Sequence, residues 1–210
     1  MSKAKGKNKN QIKAVLFDLG KVILHFNFDP AFKRLSKASG VPVLEIEDFF
    51  VNSGLEVPYD GGKISSRQFH EEVKKGLKHS ISFEKFKKIW NEIFTPNTGV
   101  IRIIQRLHGK KRLVLISNTN EMHFTYIRKK YPVIQKFDKL LLSYEEKMRK
   151  PDERFYAKAA KACLAKPHEI LYVDDRPDFT QAADELGFHT FTFASNAPKL
   201  EACMKKLGVL

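Results

Sequence analysis

The amino-acid sequence predicts an α/β fold, a doubly wound parallel sheet with a block of α-helices inserted after the first strand. Short apolar runs alternate with helical patterns along most of the chain, which is typical of strand–helix–strand order. Several runs stop abruptly at a polar residue, as buried parallel strands do at their carboxyl ends. Between about residues 27 and 97 such runs are missing and helical periodicity replaces them. Together these observations predict the fold class.

Five strands are predicted, and four of them end directly before a polar side chain. The first run, residues 14–17, stops at Asp18, and a later run, residues 170–173, stops at the pair Asp174 and Asp175. The other predicted strands are residues 113–116 before Ser117, residues 140–142 before Ser143, and residues 190–193, whose polar–apolar alternation is typical of an edge strand. Because ligands of such sheets bind beyond the carboxyl ends of the strands, these polar residues should gather in one crevice.

The helices after the third and fourth of these strands have readable starts. Pro151-Asp152 predicts a helix that continues to Leu164, and Pro177-Asp178 predicts one that Gly187 ends. Proline favours the first turn of a helix, whereas glycine favours the position just after it. The resulting order of strand, helix and strand implies parallel crossover connections.

The inserted segment is predicted to be helical, with its own apolar core. Two stripes carry that prediction: Phe69, Val73 and Leu77, and then Phe83, Phe86, Trp90 and Ile93. We expect these side chains to form the core of the insertion rather than a ligand-binding box. Predicted helix starts are Asp29-Pro30, Ser66 and Ser82, and residues 59–62 are predicted to form a turn. The predicted domains are a disordered basic tail (1–12), an α/β core (13–26 and 98–210) and a helical cap (27–97).

Charge and composition restrict the classes of partner. The formal net charge is +14, but apart from the lysine-rich tail the positive residues are scattered, without zinc-ligand spacing or an RNA-binding aromatic motif. We therefore expect no specific nucleic-acid partner. The two cysteines are too few for a disulfide framework, which favours a reduced, cytoplasmic protein. No apolar run approaches the roughly 18 residues that span a bilayer, so no membrane partner is expected either. The oligomeric state is not readable from the sequence.

The residues at the predicted strand ends suit phosphoryl transfer when they are considered together. Individually, Asp18, Ser117 and the pair Asp174-Asp175 could cap turns or helices, and Lys150 could be an ordinary solvated lysine. As a set they supply a carboxylate nucleophile, a hydroxyl donor, a cation and an acidic pair. These are the groups that transfer through an enzyme-bound aspartyl phosphate requires.

Four ordered motifs carry a resemblance to a known family. They are Phe-Asp-Leu-Gly-Lys-Val (residues 17–22), Leu-Ile-Ser-Asn-Thr-Asn (115–120), Met-Arg-Lys-Pro-Asp (148–152) and Val-Asp-Asp-Arg-Pro-Asp (173–178). From about residue 13 to 193 the chain resembles the haloacid dehalogenase-like hydrolase superfamily, and especially its branch of sugar-phosphate phosphatases of the glucose-1-phosphate type. This resemblance implies a Rossmann-like core, a small helical cap and a phosphatase that acts on a small phosphorylated metabolite.

The resemblance also implies a role for each motif residue. Asp18 would be the nucleophile, while Ser117 and the backbone N–H of Asn118 would donate to the phosphoryl oxygens and Lys150 would add positive charge. Mg²⁺ would be held by Asp18, the Gly20 carbonyl and Asp175, with Asp174 as a more distant or water-mediated partner. Asp178 would orient Lys150 or a metal-bound water.

Gly20 departs from the superfamily pattern, which more often has an aspartate that acts as general acid and base at this position. The branch itself also tends to have glycine there. One alternative follows, a weak or inactive regulatory module that binds phosphate and Mg²⁺. A metal-independent haloacid dehalogenase of the same superfamily is less favoured, because it does not need the acidic pair Asp174-Asp175. His25 is a candidate for the missing proton donor. Substrate selection is expected from the cap, around Phe28, residues 54–59 and the glycine pair 61–62.

Overall fold

The computed structural model describes residues 11–210 and confirms the predicted fold class. Five parallel strands form the central sheet in the order β5-β4-β1-β6-β7, with helices on both faces. A separate antiparallel pair joins β2 and β3. The strands are β1 (Ala14–Phe17), β2 (Leu24–Phe26), β3 (Phe94–Pro96), β4 (Arg112–Ser117), β5 (Lys139–Leu142), β6 (Ile170–Asp174) and β7 (His189–Thr192).

The central strand β1 is fully buried because it pairs on both sides. Leu16 lies opposite Val114 of β4 and Tyr172 of β6. Alternate residues of the central strands point into two apolar clusters, one on each face of the sheet. Such strands appear in the sequence as continuous apolar runs. The predicted edge strand is confirmed as β7, which begins one residue earlier and lies at one end of the sheet.

Eleven α-helices occur in residues 11–210, and five of them lie between β2 and β3. Those five are α1 (Asp29–Ser39), α2 (Val43–Asn52), α3 (Glu56–Asp60), α4 (Ser66–Gly76) and α5 (Phe83–Asn91). The remaining helices are α6 (Thr98–Leu107), α7 (Glu121–Lys130), α8 (Ser143–Glu146), α9 (Glu153–Cys163), α10 (Pro177–Glu185) and α11 (Ala197–Lys206). The five inserted helices share a third apolar cluster, which contains Phe69, Val73 and Trp90.

Side-chain capping accounts for the starts of α4, α5 and α9. Ser82 caps α5, and Asp152 caps α9 by accepting from the backbone N–H of Arg154 at 2.9 Å. The residue that caps α4 is Ser65 rather than the predicted Ser66, and Ser65 forms a reciprocal capping box with Gln68. Ser66 is instead buried at the first helical position.

Two local predictions are corrected by the structure. The segment 27–97 contains a strand, β3, which pairs with β2 and which the helical periodicity concealed. Residues 59–62 are only partly a turn, because Tyr59 and Asp60 complete the short helix α3 and only Gly61 and Gly62 follow it. Both segments are too short to show a period, so tertiary contacts determine their structure.

The predicted basic tail lies almost entirely outside the described residues. Its last residue, Ile12, is buried in the core and its carbonyl accepts from Lys111 Nζ at 2.6 Å. Among residues 11–210, no helix combines the length and apolar character needed to cross a membrane.

Candidate active site

Three carboxylates meet at the carboxyl ends of β1 and β6, as the strand-end pattern predicts. Asp18, Asp174 and Asp175 each offer an oxygen, and these atoms lie within 4.8 Å of one another. The backbone N–H of Asp18 donates to the Val173 carbonyl at 2.8 Å, which holds the end of β1 beside β6. Asp18 and Asp174 are buried, whereas Asp175 is partly exposed. Several negative charges in one buried place require a cation.

Lys150 supplies a cation from the third motif. Its Nζ donates to Asp18 Oδ1 at 2.5 Å and to Asp174 Oδ2 at 2.6 Å. Burial acts to lower the pKa of Lys150, but the two carboxylates outweigh it and raise this pKa, so the side chain is charged. Burial raises the pKa of Asp18, and the ammonium of Lys150 opposes that rise. The pair is therefore a compact charged unit, shielded from water.

The amide of Asn118 holds Lys150 in place, which the sequence did not predict. Asn118 Oδ1 accepts from the Lys150 backbone N–H at 2.8 Å, and its Nδ2 donates to the Lys150 carbonyl at 3.1 Å. These two bonds join the end of β4 to the loop that carries Lys150. Ser117 is buried beside them, and within residues 11–210 its hydroxyl has a single long hydrogen bond of 3.5 Å, to the Asn118 carbonyl. That hydroxyl is free to turn toward a ligand.

Asp174 and Asp178 have partners that differ from the implied ones. The resemblance implies that Asp174 serves the metal, yet its Oδ2 accepts from Lys150 and also from the hydroxyl of Tyr172. Asp178 does not orient Lys150, because both of its oxygens accept from the Arg176 guanidinium, at 3.0 and 2.6 Å. Asp178 is also largely exposed. Asp174 is therefore the residue that orients the lysine.

Gly20 lies where the chain leaves β1 and passes under an aromatic ring. A Cβ at this position would lie 3.1 Å from Cε1 of Phe26 and 3.8 Å from Asp18 Oδ2. A side chain at position 20 would therefore press on Phe26. The crowding gives a physical reason for glycine at this position.

The carboxylates fit a hard divalent cation. Lys150 occupies Oδ1 of Asp18 and leaves Oδ2, which no side chain of residues 11–210 contacts by a hydrogen bond. Asp175 is half-buried near Asp18, and among residues 11–210 its one ion pair is with Lys21 Nζ, at 4.0 Å. The donor set of carboxylate oxygens and a backbone carbonyl is the one that Mg²⁺ prefers. Gly20 can contribute that carbonyl, although it already accepts from Val22 N–H at 2.7 Å.

A cavity of about 620 Å³ opens between these strand ends and the inserted helices. On the sheet side it is lined by Gly20, Ser117 and Asn118. On the helical side, the predicted substrate residues Phe28, Glu56 and Tyr59 line it. Gly61 and Gly62 do not, because they pack against the loop of Arg149 and against Tyr144. His25 is also not among the lining residues.

The aromatic stripes of the insertion serve two purposes rather than one. Phe69, Trp90 and Ile93 belong to the apolar core of the inserted helices and also line the cavity. Phe32 and Phe50, from α1 and α2, line it as well and stack on each other with ring centroids 5.5 Å apart. The expectation that these stripes are core alone was therefore incomplete. Which side of these helices faces the cavity depends on how the helices cross, and the sequence does not show that.

A buried polar network at the junction of α3 and β4 was also missed. Asn120 Nδ2 donates to Asp60 Oδ1 at 3.1 Å, and Ser143 Oγ donates to the Asp60 carbonyl at 2.6 Å. Burial raises the pKa of Asp60 to about 7 and lowers that of His123 to about 4. Asp60 and His123 both line the cavity. Nothing in the sequence marks Asp60 as buried, apart from its position after Tyr59 in a turn-like segment.

Comparisons with known proteins address the family to which the chain belongs. Residues 12–187 match the family model described as haloacid dehalogenase-like hydrolase. D-ribitol-5-phosphate phosphatase of Bacteroides thetaiotaomicron is 26% identical over 189 residues, which cover 86% of this chain and 91% of that protein.

Solved structures show the same relationship. A haloacid dehalogenase family enzyme of Bacteroides thetaiotaomicron, crystallised with magnesium and inorganic phosphate, has a TM-score of 0.80 at 26% identity, covering 88% of this chain and 96% of that one. A hydrolase of Porphyromonas gingivalis, with a TM-score of 0.78 at 24% identity over 94% of this chain and 98% of that one, shares the fold. The chain belongs to the haloacid dehalogenase-like hydrolase family.

Proposed function

We propose that this protein is a magnesium-dependent phosphoric monoester hydrolase that transfers the phosphoryl group of a small phosphorylated metabolite to Asp18. The observation that carries the proposal is the buried contact of Asp18 with Lys150, beside the strand ends that border the cavity. The two relatives named for phosphatase activity and for bound magnesium and phosphate support the same chemistry. A sugar phosphate is the substrate class most similar to the substrate in the name of the phosphatase relative, D-ribitol 5-phosphate.

The proposed first step is attack of an Asp18 oxygen on phosphorus. The phosphorus–oxygen bond to the alcohol breaks as the bond to Asp18 forms, and the departing oxygen takes a proton from water. A water molecule then attacks the phosphorus of the aspartyl phosphate, which releases inorganic phosphate and restores the Asp18 carboxylate. The hydroxyl of Ser117 and the backbone N–H of Asn118 would donate to the phosphoryl oxygens, and Lys150 would offset their charge. Mg²⁺, when bound by Asp18, the Gly20 carbonyl and Asp175, would reduce the repulsion between the anionic nucleophile and the anionic ester.

The inserted helices, residues 27–97, are proposed to act as the cap of this site. Phe28 and Tyr59 come from the insertion, whereas Ser117 and Asn118 come from the sheet, and all four line one cavity. A cap that closes over the ester would exclude water during the first step.

Hydrolysis of p-nitrophenyl phosphate and of a panel of sugar phosphates tests the proposal. The proteins compared are the wild type and Asp18→Asn, which preserves shape and removes the nucleophile. We expect Mg²⁺-dependent turnover that EDTA stops and that the substitution abolishes. Turnover that survives the substitution would overturn the role of Asp18, and turnover that continues in EDTA would overturn the requirement for Mg²⁺.

Gly20 favours one second candidate, a non-catalytic module that binds phosphate and Mg²⁺. A positioned general acid typically contributes 10² to 10⁴-fold to rate, and position 20 cannot supply it. Calorimetry discriminates: binding of phosphate with Mg²⁺ but no turnover of any ester would identify this module.

A further inference from the structure

The cavity is larger than a phosphoryl group requires. Its volume of about 620 Å³ lies within the range of small-molecule sites, and only one end is formed by Gly20, Ser117 and Asn118. Most of the remaining lining residues belong to the inserted segment, and His123 and Ile127 of α7 are among the others. If the phosphoryl group occupies the sheet end, the alcohol portion of the substrate occupies the remainder of the cavity. The side chains that line this part of the cavity therefore indicate the chemical class of the alcohol.

The wall formed by the inserted helices is acidic, although the chain is strongly basic. Four carboxylates line the cavity, from Asp29, Glu47, Glu56 and Asp60, and no lysine or arginine of the described residues does so. The formal net charge of the whole chain is +14. A wall without basic residues is unexpected in such a chain, and it makes the cavity electrostatically suited to a cation.

Three of these carboxylates lack a cationic partner within the part of the chain that the structure describes. None of its ion pairs involves Asp29, Glu47 or Glu56. Glu47 is the most informative of the three, because it is half-buried whereas the other two are exposed. Solvent therefore screens Glu47 least. Asp60 differs, since Asn120 and Arg149 contact it.

The aromatic part of the wall has the same preference. Phe28, Phe32, Phe50 and Trp90 line the cavity, and the ring centroids of Phe50 and Trp90 lie 4.6 Å apart. The face of an aromatic ring attracts an ammonium group, most strongly when water is excluded. His123 adds no positive charge at neutral pH, because burial lowers its pKa to about 4.

Charge, rather than hydrogen-bonding capacity, separates an amine from a neutral polyol at this wall. The acidic side chains of this wall are acceptors, and an ammonium group is a donor only. The hydroxyl of Tyr59 is already engaged, by Ser66 Oγ at 2.8 Å and by the Met122 backbone N–H at 3.3 Å. A neutral sugar hydroxyl could donate to this wall but would find no charge complement there.

We propose that the alcohol portion of the substrate carries a positively charged amine, so that the substrate is an amino sugar phosphate or an amino alcohol phosphate. The ammonium group lies in the cavity near Glu47 and the aromatic wall, while the phosphoryl group lies at Asp18. The inference rests on the proposed function, because it assumes that the sheet end of the cavity holds the ester.

Matched substrates test the inference. We compare kcat/KM for glucosamine 6-phosphate with glucose 6-phosphate and N-acetylglucosamine 6-phosphate, and for phosphoethanolamine with 2-hydroxyethyl phosphate. p-Nitrophenyl phosphate serves as the general ester. In at least one set we expect kcat/KM for the amine to be about tenfold higher than for its neutral counterpart. A difference of this size is what one partly buried ion pair next to aromatic rings would give.

Two variants test whether the acidic wall of the cavity causes the preference for the amine. Glu47→Gln is expected to bring the ratio of kcat/KM for the amine substrate to kcat/KM for its neutral counterpart toward one. Because both values come from the same protein sample, this ratio does not depend on the fraction of the protein that is folded. Glu45→Gln is the control, since Glu45 lies on the same helix, is exposed and does not line the cavity. It should leave the ratio unchanged.

The outcomes separate the two proposals. If p-nitrophenyl phosphate is hydrolysed in an Asp18-dependent manner but neither set shows an amine preference, the amine inference is overturned and the phosphatase stands. A preference that Glu47→Gln does not change would overturn the assignment to this wall. Absence of Asp18-dependent turnover on every ester would overturn the proposed function and the inference with it.

Discussion

Substitution of Lys150 by methionine should destabilise the protein strongly, because it would leave Asp18 and Asp174 buried without their cation. Lys150 Nζ lies 2.5 Å from one carboxylate and 2.6 Å from the other, and all three side chains are at most 8% exposed. Removal of one partner from a buried ion pair typically costs about 3–5 kcal/mol. A chain of this size loses roughly 2–4 °C in Tm per kcal/mol, so Tm should fall by about 6–20 °C.

Urea and thermal unfolding of Lys150→Met measure this cost, with Lys161→Met as the control, since Lys161 is exposed on α9 and forms no ion pair within residues 11–210. The control should change stability by less than about 0.5 kcal/mol. Adding Asp174→Asn to Lys150→Met should recover part of the loss, because one of the two unpaired charges disappears. Equal stability of Lys150→Met and wild type would refute the reasoning that the buried charges depend on this lysine.

Three further predictions concern stability and pH. Burial holds the pKa of Asp60 at about 7 against an ordinary value of 3.8, so its folded form binds the proton more tightly. Stability should therefore fall by up to about 4 kcal/mol as pH rises from about 4 to 7, and Asp60→Asn should remove this fall in urea titrations at pH 5 and 8. Gly62→Ala should cost about 2–4 kcal/mol in the same assay, because φ is +63° and a Cβ would lie 2.1 Å from the Tyr144 carbonyl oxygen. Gly20→Asp should cost about 1–3 kcal/mol, and less in a Phe26→Ala background, because the ring crowds the new side chain.

Controls make these predictions specific. The pKa of His123, lowered to about 4, makes stability rise between about pH 4 and 6.5, so the Asp60 effect is measured as the difference between variant and wild type at each pH. Gly40 has a φ of +78° and no atom within 4 Å of an added Cβ, so Gly40→Ala reports the backbone cost alone. A Gly62→Ala cost no larger than that of Gly40→Ala would contradict the predicted clash. Equal costs of Gly20→Asp in both backgrounds would contradict the role of Phe26.

The sheet was predictable because each central strand is buried on both faces and therefore appears as an apolar run with a polar end. That pattern alone places Asp18, Ser117 and Asp174 at one edge of the sheet. The motifs also identify Lys150, although its contact with the carboxylates depends on a loop that is distant from Asp18 in the chain. The pairing of β2 with β3 was missed, since three-residue strands have no recognisable period.

The sequence by itself determined the chain order of the five strands of the central sheet, the edge of the sheet where the polar residues gather, and the family. Local patterns encode those features, because burial of a strand or helix face selects residues at fixed spacing. Only the tertiary structure decided that Asp174 rather than Asp178 holds Lys150, that Asn118 clamps the lysine loop, and that Glu47 faces the cavity. Those contacts join residues that are distant in the chain, and their distances depend on how the helices pack.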